Sequence, residues 1–141
     1  PQPPAQPQPP AQQPPTRSAA EEAARRHALG MDPATGRFRP AEAETARRVE
    51  ELLGIELERS ANPDVDWVDP ATGLTYDAVG NFDARYFDRQ WPNLQTRIID
   101  HLAKADRVPI DVARFTSAQI ATVQKFLADN SLGPRAFLVG I

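Results

Sequence analysis

Two aspartates stand where strand residues rarely carry charge. The stretch from Asn62 to Gly80 reads as two short strands joined by Asp69-Pro70-Ala71-Thr72-Gly73. In that turn Asp accepts from its own backbone, Pro presets φ and Gly takes the left-handed position of a bulged hairpin loop. Alternation puts Val65 and Trp67 on one face and Asp64, Asp66 and Val68 on the other, and on the return strand Tyr76 opposes Asp77. Aspartate is depleted in strands, and a carboxylate there is costly unless it binds something. Cations lie downstream: Asn93, Arg97, His101 and Lys104 fall at helical spacing. The 84–107 segment holds five basic and three acidic residues, which suits a phosphate-facing surface. His101, one of two histidines, is the natural general acid or base of a metal-free site.

The elements that must position these groups are legible around them. Pro40 to Leu53 is a predicted helix that starts on Pro and stops at Gly54, with Ala46, Val49 and Leu53 as its buried stripe. Glu42 projects onto that stripe and Glu50 lies at its edge. Ile55 to Arg59 alternates as a strand leading into the hairpin. Phe82, Tyr86, Phe87 and Trp91 interleave with Arg85 and Arg89, a pattern open to base stacking and phosphate contact or to simple core packing. Pro92 then opens a helix over Asn93–Ala105 that buries Leu94, Ile98, Leu102 and Ala105.

Downstream, Arg107 to Val112 is a short strand in which Pro109 suggests an edge or a bulge. Thr116-Ser-Ala-Gln119 is a capping box for a helix with Ile120, Val123 and Leu127 inward, ended by Gly133 and Pro134. Arg135 to Ile141 is the last strand, parallel to the previous one across the helical crossover. The fold class is α/β: a small mixed sheet with flanking helices.

Composition limits the remainder. The first fifteen of 141 residues are eight Pro, five Gln and two Ala, so 1–16 is expected as a disordered linker without buried surface, implying a larger protein upstream. Residues 17–38 read as a partly helical lead-in whose Asp32-Pro33-Ala34-Thr35-Gly36 uses the hairpin's turn a second time, and 39–141 as the main domain. A net charge of −3 gives no global basic signature. The lack of Cys excludes disulfides and thiolate zinc sites. No apolar run approaches the ~18 residues of a membrane span, and the first residues lack the pattern of a signal peptide.

The order of helix with Glu, strand, Asp at a hairpin, second Asp on the next strand, then helix, strand, helix, strand resembles the restriction-endonuclease-like nuclease fold. More closely, Asp66-Trp67-Val68-Asp69, Thr75-Tyr76-Asp77-Ala78-Val79-Gly80, Phe87-Asp88-Arg89-Gln90-Trp91 and Val108-Pro109-Ile110-Asp111-Val112 resemble the C-terminal tRNA nuclease domains of contact-dependent inhibition and polymorphic toxins, over about Arg39 to Ile141. The resemblance implies a divalent cation, such as Mg²⁺, held by a helix Glu and two strand carboxylates, with a Lys beside the attacking water. Position by position, these are Glu50 or Glu42, Asp66 and Asp77. The slot two residues after the second carboxylate, where the fold's motif has Lys, holds Val79. Either Lys104 comes in from elsewhere, or the chemistry is metal-free with His101. Arg85, Arg89, Trp91 and Arg97 become candidate RNA contacts.

The same resemblance implies a tRNA substrate, a cognate immunity protein, a larger N-terminal delivery protein, and secretion with delivery into a target-cell cytoplasm. The competing reading is a non-catalytic interaction domain. In an enzyme Asp66 and Asp77 converge on one cleft; in a binding module they point to separate exposed places.

Overall fold

The hairpin register decides where the two aspartates go. In the computed structural model, which describes residues 16–141, β2 (Trp67–Val68) pairs antiparallel with β3 (Thr75–Tyr76), Trp67 opposite Tyr76. Both rings are buried, so the next cross-strand pair, Asp66 and Asp77, shares the other face. The turn works as read. Asp69 accepts from the backbone N–H of Ala71 and Gly73 has φ 75°. Its earlier copy repeats both features, with Ala34 N–H donating to Asp32 and Gly36 at φ 69°, beneath an antiparallel bridge from Met31 to Phe38.

Two three-stranded sheets share the segment 75–80. β1 (Glu58–Arg59), β2 and β3 form an antiparallel sheet; β4 (Val79–Gly80), β5 (Val108–Asp111) and β6 (Ala136–Val139) form a parallel one. A parallel bridge from Tyr76 to Arg107 carries the same register into β3, so Ala78 falls opposite Pro109. Arg107 N–H donates to Thr75 and Asp77 N–H to the Arg107 carbonyl. The next rung needs an N–H on residue 109 for the Asp77 carbonyl, and proline has none. The ladder breaks there, separating β3 from β4. Pro109 is thus in a central strand, not at the edge expected for it. Gly80 is required because a Cβ there would stand 2.5 Å from the Asp111 carbonyl oxygen, at φ 90°.

Helices cover both faces. α3 (Phe87–Leu102) and α4 (Ser117–Asp129) pack Leu94, Ile98, Val123 and Leu127 on Val79, Val108, Ile110 and Ala136. α1 (Ala19–Leu29) and α2 (Pro40–Leu53) pack Leu29, Ala46 and Val49 on Leu57, Trp67, Tyr76 and Val139. The Thr116–Gln119 capping box and the left-handed Gly54 stop form as read. Among the described residues, no helix is long and apolar enough to cross a membrane.

Several expectations shift. α3 begins at Phe87, after a 3₁₀ turn over Ala84–Tyr86 capped by Asp83, so Pro92 lies inside the helix. The strand read over Ile55–Arg59 pairs as a strand only at its last two residues. Leu53 is 42% exposed, and Leu29 of α1 takes the core position instead. The segment read as a partly helical lead-in is fully helical over Ala19–Leu29, with Ser18 and Glu21 forming a capping box. The linker read over 1–16 lies, apart from Thr16, outside the described residues.

Candidate active site

Where β2 parts from the segment 75–80, Ala78, Val79, Gly80 and Asn81 border a cleft with Asp66. Its other walls are Ala41, Glu42 and Thr45 of α2 and Arg97 of α3. Asp66 is fixed by the Ala78 N–H, which donates to its Oδ2 at 2.9 Å. That N–H lies on the edge β2 has vacated, so the carboxylate replaces a missing ladder partner. Asp66 and Asp77 lie close enough for each to shift the other's carboxyl. Burial, and then the charge of Asp77, push Asp66 up to about 6. Burial raises Asp77 as well, opposed by the neighbouring Asp66 carboxyl and by the charge of Lys104.

α3 and the turn after it, which begins at Ala103 before the helix end expected at Ala105, bring the cations. Lys104 Nζ lies 3.2 Å and His101 Nε2 3.3 Å from Asp77 Oδ2, although that buried oxygen has no partner in hydrogen-bond geometry. Lys104 thus reaches the carboxylate from another element, while Val79 packs in the core. Burial holds His101 below the ordinary imidazole range, helped by the positive charges of Lys104 and Arg97. It is the neutral ring at pH 7, with Nδ1 buried and unpartnered.

The two candidate glutamates have different surroundings. Glu42 borders the cleft, and its Oε2 accepts from Arg59 Nη1 at 2.7 Å. Burial raises its carboxyl, opposed first by that hydrogen bond. Glu50 is buried and saturated: Arg25 donates to both its oxygens at 2.8 and 2.9 Å, Arg26 at 2.6 Å and the Leu57 N–H at 2.7 Å. Neither of its oxygens is left for a substrate or cation. It ties α1 to α2, so the role expected for a helix glutamate passes to Glu42.

The expected RNA contacts separate too. Arg97 is exposed and borders the cleft. Trp91 is half-buried, stacking on Phe87 and meeting Phe126 edge-on where it packs against the core, and it does not border the cleft. Arg85 lies over the Tyr86 ring, and Arg89 is exposed. Neither borders the cleft.

Two residues were missed. Arg59 joins Glu42 to the vicinity of Asp66 Oδ1, 3.8 Å from its Nη2. Asp111 is fully buried and accepts from Thr45 Oγ1 at 2.6 Å, Arg48 Nη1 at 2.7 Å and the Ala113 N–H. It pins α2, and with it Glu42, to β5. Its sequence signal was an ionisable residue inside an apolar strand, the argument applied to the hairpin aspartates.

Among the described residues, no three Asp, Glu or His side chains form a ready cation cage. Asp66 and Asp77 nevertheless fit a hard divalent ion. They are adjacent carboxylates that repel when both ionised, and one Asp77 oxygen lacks a hydrogen-bond partner. Mg²⁺ typically takes one or two carboxylates, with water and phosphate completing the shell.

No protein-family model matches the chain. Over 99 residues it is 37% identical to tRNA nuclease CdiA of Burkholderia pseudomallei, covering 62% of this chain and 8% of that protein. The chain therefore spans a small fraction of that relative's length. Among solved structures it is similar to a CdiA-CT toxin from Burkholderia pseudomallei in complex with its cognate CdiI immunity protein. The TM-score is 0.62 at 28% identity, covering 72% of this chain and 99% of that one. The small mixed α/β architecture is that of this toxin, and the resemblance read from the short motifs is borne out.

Proposed function

We propose that the chain is a toxin nuclease that cleaves tRNA phosphodiester bonds in a target bacterial cell. On this reading it is the C-terminal part of a larger secreted delivery protein and is neutralised by a cognate immunity protein. The observation that carries the reading is the closeness of Asp66 and Asp77, each near enough to shift the other's carboxyl, with Lys104 at Asp77 and with Asp66, Glu42 and Arg97 on the cleft wall. That closeness favours an enzyme over the interaction-domain alternative, which needs the two carboxylates apart. The break after β3 and the arrival of Lys104 from the turn that follows α3 support a restriction-endonuclease-like site with its lysine displaced.

Asp66 and Asp77, with Glu42 beside them, would hold a divalent cation, which when bound supplies charge neutralisation at phosphorus and acidifies a water. Lys104 contributes a compact point charge to the phosphate, and Arg97 orients the RNA backbone at the cleft mouth. His101 Nε2 stands 3.3 Å from Asp77 Oδ2 and is the candidate general acid or base should the chemistry be metal-free. The experiment is incubation of the purified protein with total tRNA and Mg²⁺ beside the same reaction in chelator. Discrete cleavage products lost in chelator support the full reading, products that survive chelator leave a metal-free nuclease, and intact tRNA in both overturns nuclease function.

A further inference from the structure

Arg59 sits where a cation belongs. Its Nη1 donates to Glu42 Oε2 at 2.7 Å and to the Leu29 carbonyl at 3.2 Å, Nη2 stands 3.8 Å from Asp66 Oδ1, and its Nε is buried with no partner. A guanidinium placed mainly for stability would have its donors filled, as those of Arg25 are at Glu22 and Glu50. Arg59 instead spans two acidic groups of the cleft, one of them loosely. We propose that Arg59 is a built-in counter-cation: it neutralises Glu42 and Asp66 when the cleft is empty and competes with a divalent ion for those oxygens. The inference rests on the cation-dependent reading above and assigns the positioning residue that sets the cleft's affinity for the ion.

Geometry gives the competition its direction. Asp66 Oδ2 is engaged by the Ala78 N–H, so Oδ1, the oxygen nearest Arg59, is the one left to face an ion. An ion there stands within a few ångströms of the guanidinium, and like charges at that range in a half-buried site repel strongly. Loading therefore requires Arg59 to withdraw, and Glu42 is released as it does so. The Leu29 carbonyl, already its partner, keeps one anchor.

The test reads binding, not turnover. Mg²⁺ is titrated into wild type, Arg59→Gln and Arg59→Lys, following thermal midpoint and binding heat. Arg59→Gln keeps a donor for Leu29 but removes the charge, so its Mg²⁺ affinity should rise at least tenfold; Arg59→Lys keeps the charge and should stay within about threefold of wild type. In wild type, the sheltered Arg59 Nε–H gives a side-chain NMR signal that should move in step with the titration, a measurement independent of whether a variant folds. Mg²⁺ binding with an unmoved Arg59 signal, or equal affinities in a folded Arg59→Gln protein, overturns the proposal. No Mg²⁺ binding in any of the proteins, with cleavage indifferent to chelator, overturns instead the reading on which it rests.

Discussion

Replacing Asp66 by Asn should make the protein more stable at neutral pH and inactive. A carboxyl whose folded-state value is raised stabilises the fold fully below its unfolded value near 4 and loses that contribution as pH climbs through about 6. The rise from 3.8 to about 6 corresponds to about 3 kcal/mol of strain in the ionised folded state at pH 8, at ~1.4 kcal/mol per unit. Asn fits the same geometry. Its Oδ1 accepts from the Ala78 N–H, as Asp66 Oδ2 does now, and its amide donates to Asp77, which then ionises without a like charge opposite. The loss is the long contact with Arg59 at 3.8 Å, worth about 0–1 kcal/mol.

The net expectation is a gain of about 2 kcal/mol at pH 8, or on the order of 6–10 °C in midpoint for a domain of this size, shrinking to almost nothing at pH 4. The assay is thermal unfolding of both proteins in chelator from pH 4 to 8, beside tRNA cleavage with Mg²⁺. Cleavage by the wild type should rise with pH over the interval in which its stability falls, because the ionised Asp66 is the competent form. Parallel stability profiles, or an Asp66→Asn protein no more stable at pH 8 than wild type, would refute the argument from burial and like charge.

Glu50→Ala should cost about 3 kcal/mol by leaving Arg25 and Arg26 with Glu22 alone and the Leu57 N–H without its acceptor; cleavage per folded molecule at low temperature should be unchanged, and a folded but inactive variant would return Glu50 to the catalytic set. Trp91→Ala should lower stability by about 2–3 kcal/mol through lost aromatic packing, whereas Arg97→Ala should leave the midpoint within about 0.5 kcal/mol and weaken tRNA binding, as a filter-binding titration over salt would show. Deleting residues 1–15 should leave the midpoint unchanged, whereas deleting 1–29 removes Leu29 and both Glu50 partners and should unfold the protein; circular dichroism melts decide both.

What was legible in the sequence followed from short-range rules. Two-residue alternation placed Asp66 with Asp77 because it needs only the hairpin around them. The two copies of Asp-Pro-Ala-Thr-Gly became the same turn because that chemistry is carried within five residues. Glu50 could not be read, since its partners arrive on α1, twenty-four and twenty-five residues away, and only docking of that helix selects it over Glu42. Helical spacing put Lys104 on the same stripe as His101; that the stripe faces Asp77 depends on how α3 crosses the sheet. Trp91 was left open between base stacking and core packing because an aromatic between arginines reads alike in both, and its contacts with Phe87 and Phe126 are of the packing kind. Pro109 suggested an edge or a bulge by a sound rule, and it sits in a central strand because the strand beside it is interrupted where its N–H would be needed.

That interruption also bears on the order of assembly. Tyr76, before the gap, belongs to the core that α1 and α2 cover, and Val79, after it, to the core that α3 and α4 cover, so the acidic pair sits on the seam between the two. β6 joins them, with Ala136 in the second core and Val139 in the first, and both close only when β6 docks in parallel on β5, a contact between distant segments that forms slowly. Until β6 is in place β5 has no outer neighbour, and the 77–80 segment on its other edge is unsupported. A chain in which β6 has not docked therefore has no assembled site. Amide exchange should show the 77–80 backbone gaining protection in the same kinetic phase as 136–139, after the hairpin turn.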